Sequence, residues 1–79
     1  LLASSAASDV YKRQRLSITG LDGRNTIKAV SLSGQLLGYY LSADTVFEGE
    51  LKYPERFIVL VIEPENGKTT TLKLLDSKL

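Results

Sequence analysis

The feature that most constrains this chain is the uninterrupted apolar run Phe57–Ile62, in which four of the six side chains are β-branched. Such residues are favoured in strands, and a run that is apolar at every position fits a strand covered on both faces. The dipeptide Asn66-Gly67 follows soon after the run, and Asn-Gly is typical of a type I′ turn with positive φ at both positions. We therefore predict a β-hairpin centred on this turn. The predicted opposite pairs are Val61 with Leu72 and Val59 with Leu74.

An earlier segment shows a similar pattern around Asp22-Gly23. Residues 15–21 alternate between polar and apolar, as a half-buried strand does, and Asp-Gly is another type I′ dipeptide. A turn centred there predicts a second hairpin with four apolar side chains on one face. The predicted opposite pairs are Ile18 with Ile27 and Leu16 with Ala29.

The middle of the chain is expected to add further strands. Residues 45–53 alternate in the same way. Residues 29–42 fit either a strand or a short helix, and their glycines at positions 34 and 38 disfavour the helix. We predict a bend near Ser33-Gly34 and then a strand over residues 35–41. In this strand the core face is predicted to hold Leu37, Tyr39 and Leu41.

Together these elements predict an all-β fold: a small antiparallel meander, roll or partly open barrel of about five or six strands. Asp76 and Ser77 are both good N-cap residues. We therefore expect a C-terminal helix to begin there and to be cut off by the end of the sequence.

The first 14 residues require separate treatment. Residues 9–14 are the in-frame translation of GATGTGTATAAGAGACAG, a DNA that resembles the transposase mosaic end used to prepare sequencing libraries. We therefore expect residues 1–14 to be a non-native, adapter-derived segment without structure, and residues 15–79 to form a single small β domain or part of one. The alternative is the tail of a signal peptide, because residues 1–8 are small or apolar, although no basic segment precedes them.

Charge and composition exclude several functions. Lys12, Arg13 and Asp9 lie in the first segment, so the remainder carries eight basic and eight acidic residues and no net charge. A neutral domain lacks the basic footprint of nucleic-acid binding. No apolar run reaches the roughly 20 residues of a bilayer span. We expect neither a nucleic-acid nor a membrane partner, and a soluble protein in the cytoplasm.

Chemistry-bearing residues are scarce. The chain has no histidine and no cysteine, so the commonest general base and the commonest activated thiol are missing. Glu48 and Glu50 would share one face of a strand, but two carboxylates are too few ligands for a metal ion such as Ca²⁺. We expect no catalytic residue, no cofactor and no metal.

One motif points in another direction. Residues 66–75 are similar to the Walker A region of ABC-type ATPases, which ends in Gly-Lys-Thr-Thr. The resemblance implies that Lys68 would reach the β- and γ-phosphates of a nucleotide and that Thr69 would bind Mg²⁺. The full motif also requires a glycine five residues before Gly67, where this chain has Ile62.

Two functional hypotheses follow. The first is a non-catalytic β-rich interaction or structural module that binds a protein partner. Its candidate ligand- or partner-binding residue is Tyr40, because Tyr40 lies opposite the predicted core face of its strand. The alternative is a fragment of an enzyme, such as a degenerate P-loop NTPase built around Gly67, Lys68 and Thr69.

Overall fold

The computed structural model describes residues 1–8, 13–51 and 55–75. These residues form seven β-strands and no helix, because most segments alternate polar and apolar side chains and so present one apolar face to a core. The strands are β1 (Leu2–Ser8), β2 (Arg13–Thr19), β3 (Asn25–Val30), β4 (Leu36–Ser42), β5 (Val46–Leu51), β6 (Phe57–Pro64) and β7 (Thr70–Leu75).

The strands build two antiparallel sheets, a smaller one in the order β1-β2-β5 and a larger one in the order β4-β3-β6-β7. The sheets are not closed into a barrel. Their inner faces enclose an aliphatic core, whose burial is the main favourable term in folding. The all-β prediction is confirmed. The buried apolar residues are Leu16, Ile18, Leu21, Ile27, Ala29, Leu51, Ile58, Leu60 and Ile62.

The predicted hairpin around Asp22-Gly23 is wrong in its pairing. β2 and β3 lie in different sheets, with Ile18 opposite Phe47 of β5 and Ile27 opposite Ile62 of β6. The predicted apolar face is nevertheless correct, because Leu16, Ile18, Ile27 and Ala29 are all fully buried. The side chains expected to be neighbours in one sheet belong to the facing inner sides of two sheets.

The segment between β2 and β3 is a loop that crosses from one sheet to the other. Gly23 has a φ of 66°, the left-handed region that Asp-Gly sequences favour. The Asn25 side-chain amide donates hydrogen bonds to the carbonyls of Asp22 (3.0 Å) and Gly23 (3.2 Å). The dipeptide therefore makes the expected tight bend without joining two paired strands.

The second hairpin is confirmed as a pairing of β6 with β7, but its register differs by one residue from the prediction. Leu60 lies opposite Leu72, and Val61 lies opposite Thr71. This register is incompatible with a two-residue turn at Asn66-Gly67. Both faces of β6 are apolar, so a slip of one residue does not place a polar face in the core, and the sequence pattern alone cannot fix the register.

The strand predicted over residues 35–41 is confirmed as β4, but its core face is wrong. The pairing with β3 shifts between Ala29–Gly38 and Val30–Leu36, which leaves Leu37 as an extra residue in a β-bulge. A bulge interrupts the alternation of side chains along a strand. Leu37 therefore packs towards the core, whereas Tyr39 and Leu41 point outwards.

Residues 2–8 and 13–14 of the N-terminal segment lie in strands, contrary to expectation. β1 pairs with β2 along its whole length, from Leu2 opposite Thr19 to Ser8 opposite Arg13. The adapter origin of this segment stays a prediction. Residues 9–12, 52–53 and the expected helix cap at 76–77 lie outside the described residues.

Gln14, which is fully buried, forms side-chain hydrogen bonds to two distant parts of the chain. Its amide nitrogen donates to the Ser5 hydroxyl (3.2 Å), and its amide oxygen accepts from the Glu55 backbone N–H (3.0 Å). Buried polar groups need such partners, because an unsatisfied one is costly. One residue of the expected foreign segment therefore joins three parts of the chain.

Candidate functional site

The outer faces of the two sheets differ in chemistry. Opposite residues on neighbouring strands share a face, so the strand pairings define each surface. The outer face of the smaller sheet, here called the polar face, carries Arg13, Arg15, Ser17, Thr19, Glu48 and Glu50, with Leu2 and Val46 as exposed apolar residues at one end. The outer face of the larger sheet, here called the apolar face, carries Val30, Leu36, Tyr39, Leu41, Phe57, Val59, Val61 and Leu75, together with Thr26, Lys28, Glu63, Thr71 and Lys73.

The apolar face exposes large side chains to solvent. The exposed fractions are 55% for Leu36, 55% for Tyr39, 73% for Leu41, 44% for Phe57 and 57% for Leu75. Single exposed apolar residues are ordinary on protein surfaces, whereas contiguous patches mark interaction sites. The sequence prediction missed this surface because it assigned Tyr39 and Leu41 to the core.

One ion pair interrupts the apolar face. The Lys28 ammonium lies 2.7 Å from a Glu63 carboxylate oxygen, and the two side chains are 38% and 39% exposed. The hydrogen bond to Glu63 and the charge of that carboxylate raise the pKa of Lys28. Exposed pairs of this kind add little stability. Their effect here is to neutralise the charge within the face, so Lys73 is the remaining formal charge among the residues of this face.

A depression of about 570 Å³ lies at one end of the larger sheet, where β3, β4 and β6 come together. It joins the apolar face at Leu41 and Glu63. Its volume is in the range of small-molecule sites, but it is open to solvent and so could equally receive a side chain of a partner. The other lining residues are Arg24, Asn25, Thr26, Ser42, Ala43, Pro64 and Glu65.

Tyr40, the residue singled out from the sequence, lies between the sheets. Its hydroxyl donates a hydrogen bond to the Glu50 carbonyl (3.1 Å). Its ring packs against Phe47, with centroids 5.0 Å apart and planes tilted by 51°. Burial raises the pKa of its hydroxyl. Tyr40 thus connects β4 with β5, and its role as a ligand-binding residue stays a prediction.

Two glycines make room for these rings. A Cβ at Gly38 would lie 2.5 Å from the Tyr40 hydroxyl oxygen, and a Cβ at Gly49 would lie 2.7 Å from Phe47. In each strand the aromatic ring folds back over a glycine two positions away. This spacing of glycine and aromatic residue is the one signal in the sequence that could have indicated an inward Tyr40.

The residues of the phosphate-binding hypothesis lie on a hairpin. Lys68 and Thr69 are exposed in the loop between β6 and β7, and a strand follows them. A P-loop instead leads into a helix, whose N-terminal N–H groups hold the phosphates. Lys68 and Thr69 are adjacent in the structure, but the helix that a P-loop requires after them is replaced by β7.

The paired carboxylates face solvent on β5. Glu50 accepts a hydrogen bond from the Arg13 guanidinium at 3.1 Å. Within residues 1–8, 13–51 and 55–75, no group of three or more acidic, histidine or cysteine side chains could hold a metal ion.

No protein-family model matches the chain, and no curated protein or solved structure matches it significantly. In the part of the chain that the structure describes, no helix has the length and apolarity needed to cross a bilayer.

Proposed function

We propose that this chain is a non-catalytic β-rich interaction or structural module, and that the apolar face of the larger sheet is its protein-binding surface. The observation that carries the proposal is the contrast between the two outer faces. An antiparallel sheet commonly buries one face and solvates the other with polar side chains. The smaller sheet follows that pattern except at Leu2 and Val46, whereas the larger sheet presents leucine, valine and aromatic side chains along both sides.

The competing hypothesis is an enzyme fragment such as a degenerate P-loop NTPase. The strand from Thr70 to Leu75 and the absence of the first motif glycine argue against it. Calorimetric titration of Mg-ATP into the chain tests it directly, with Lys68→Ala as the matched variant. We expect no saturable heat from either protein. Saturable binding that the variant abolishes would replace the module with the enzyme hypothesis.

Site-specific photo-crosslinking tests the surface itself. A benzophenone amino acid is placed at Tyr39 on the apolar face, and in a second protein at Arg15 on the polar face; both positions are exposed. After irradiation in the expressing cells, adducts are isolated and their protein component is identified by mass spectrometry. We expect one discrete, identified adduct from position 39 and none from position 15.

The position-15 variant controls for random encounters, because it carries the same probe on the other sheet. Equal labelling from both positions, or no labelling from position 39, would contradict the assignment of the apolar face as the binding surface.

A further inference from the structure

This inference rests on the proposed function and names the partner. The two sheets end in four edge strands, β1, β5, β4 and β7. An edge strand has unpaired backbone N–H and C=O groups, and natural proteins protect such edges with charged side chains. β5 carries Glu48 and Glu50, and β7 carries Lys73. β4 carries no charge from Leu36 to Ser42.

β4 also differs from the other uncharged edge. β1 consists of alanine and serine apart from Leu2, so it offers almost no apolar side chain to a partner. β4 instead presents Leu36, Tyr39 and Leu41 on the apolar face, each more than half exposed. The apolar face therefore reaches an unprotected strand edge at β4, and at β4 alone among the four edges.

We infer that a second copy of this chain pairs with that edge, β4 against β4 in antiparallel orientation across a two-fold axis. A symmetric dimer uses the same patch on both subunits, so the patch must be self-complementary. An uncharged strand meets this condition. The same pairing through β5 would bring Glu48 and Glu50 of the two subunits together, and like charges on opposite strands are destabilising.

The position of the axis follows from the bulge. Regular pairing is confined to the part of β4 after Leu37, because the bulge distorts the preceding part. An axis at Tyr40 places Tyr39 opposite Leu41 of the partner subunit, an aromatic-aliphatic pair of the kind that stabilises sheets. The two larger sheets then form one continuous sheet with its apolar face shared by both subunits.

Sedimentation velocity across a wide range of concentrations tests the inference on the full chain. Leu41→Lys adds a charge to β4, and Leu75→Lys adds the same charge to the same face on β7, at the far edge of the sheet. Both leucines are largely exposed, so both variants should fold. We expect concentration-dependent dimers of the unsubstituted protein and of Leu75→Lys, and dimerisation at least about tenfold weaker for Leu41→Lys.

Amide hydrogen exchange supplies a second measurement that needs no variant. Concentrating the unsubstituted protein should slow exchange within Leu36–Ser42 and leave Thr70–Leu75 unchanged. A protein that stays monomeric at every concentration would overturn the inference. Equal weakening of dimerisation by Leu41→Lys and Leu75→Lys would also overturn it. That result would indicate a dimer in which the two apolar faces stack, because both leucines lie on that face.

The two proposals fail in different ways. A monomer whose position-39 probe captures a different identified protein retains the proposed function and overturns the second copy as the partner. A monomer with no face-selective adduct overturns both.

Discussion

Substitution of Gly38 by alanine should destabilise the fold, although alanine is ordinarily the better residue in a strand. The added methyl group would lie 2.5 Å from the Tyr40 hydroxyl oxygen and 2.8 and 2.9 Å from two ring carbons. These are sub-contact distances to a whole ring rather than to the end of a flexible chain. Phe47 packs against the Tyr40 ring, and the Tyr40 hydroxyl donates a hydrogen bond to the Glu50 carbonyl. The added methyl group must therefore displace the ring and lengthen or break that hydrogen bond.

The magnitude follows from three contributions. Overpacking of a filled site costs about 1–3 kcal/mol, and loss of a hydrogen bond costs about 0.5–1.5 kcal/mol. Replacing glycine in a strand recovers about 0.5–1 kcal/mol of backbone entropy. The net loss in the free energy of unfolding is about 2 kcal/mol, which for a domain of this size lowers Tm by about 10 °C.

Urea unfolding followed by far-UV circular dichroism measures this loss. The control is the same substitution in a Tyr40→Ala background, where the obstructing ring is gone and Gly38→Ala should be neutral or slightly stabilising. The difference between the two backgrounds is the coupling energy between positions 38 and 40. A neutral Gly38→Ala in the unsubstituted background, or equal losses in both backgrounds, would refute the close packing of the ring over the glycine.

Three further outcomes are expected. Deleting residues 1–8 removes β1 from β2 and one partner of Gln14, so Tm should fall by more than a few degrees in calorimetry; an unchanged Tm would exclude β1 from the folded unit. Gly67→Val should cost at least about 1 kcal/mol in urea unfolding, because Gly67 has a φ of 142°; an equal loss in Asn66→Ala would argue against a backbone cause. Burial raises the pKa of Tyr40 above that of the unfolded chain, so stability should fall as the pH rises past about 10; Tyr40→Phe should reduce this alkaline loss, and an identical pH profile would contradict it.

For β2 and β3 the sequence was sufficient to identify the strands and their buried sides but not their neighbours. Alternation places Leu16 and Ile18 on an inner face, and it does the same for Ile27 and Ala29. It does not say whether two such faces belong to one sheet or to two sheets that oppose each other. Asp22-Gly23 suggested a hairpin, yet the bend that it makes equally serves a crossing between sheets.

The two errors of detail in the larger sheet have local causes. β6 is apolar on both faces, so the pattern of apolar residues does not determine its register with β7. The bulge at Leu37 reverses the side-chain alternation of the following residues. A prediction from unbroken alternation therefore assigns Tyr39 and Leu41 to the core and misses the apolar face. The bulge is defined by how β4 pairs with β3, and the sequence of β4 alone does not reveal that pairing.

β1 was missed for a different reason. Alanine and serine have little preference for strands, and the match of residues 9–14 to adapter DNA concerns the origin of the segment rather than its conformation. β1 forms because β2 offers an open edge and because Ala3 packs against the core.

The position of β2 between β1 and β5 sets the order of events during synthesis. β5 follows both β3 and β4 in the chain, so Leu16 and Ile18 cannot be enclosed until Leu51 has been made. Ribosomes add about 5–20 residues per second, so the segment from Gly20 to Leu51 takes about 2 to 6 s. Through part of that interval β4 is complete while the smaller sheet still lacks β5. A folding intermediate without β5 therefore leaves Leu16 and Ile18 uncovered on one side, and the docking of β5 is the step that completes the smaller sheet.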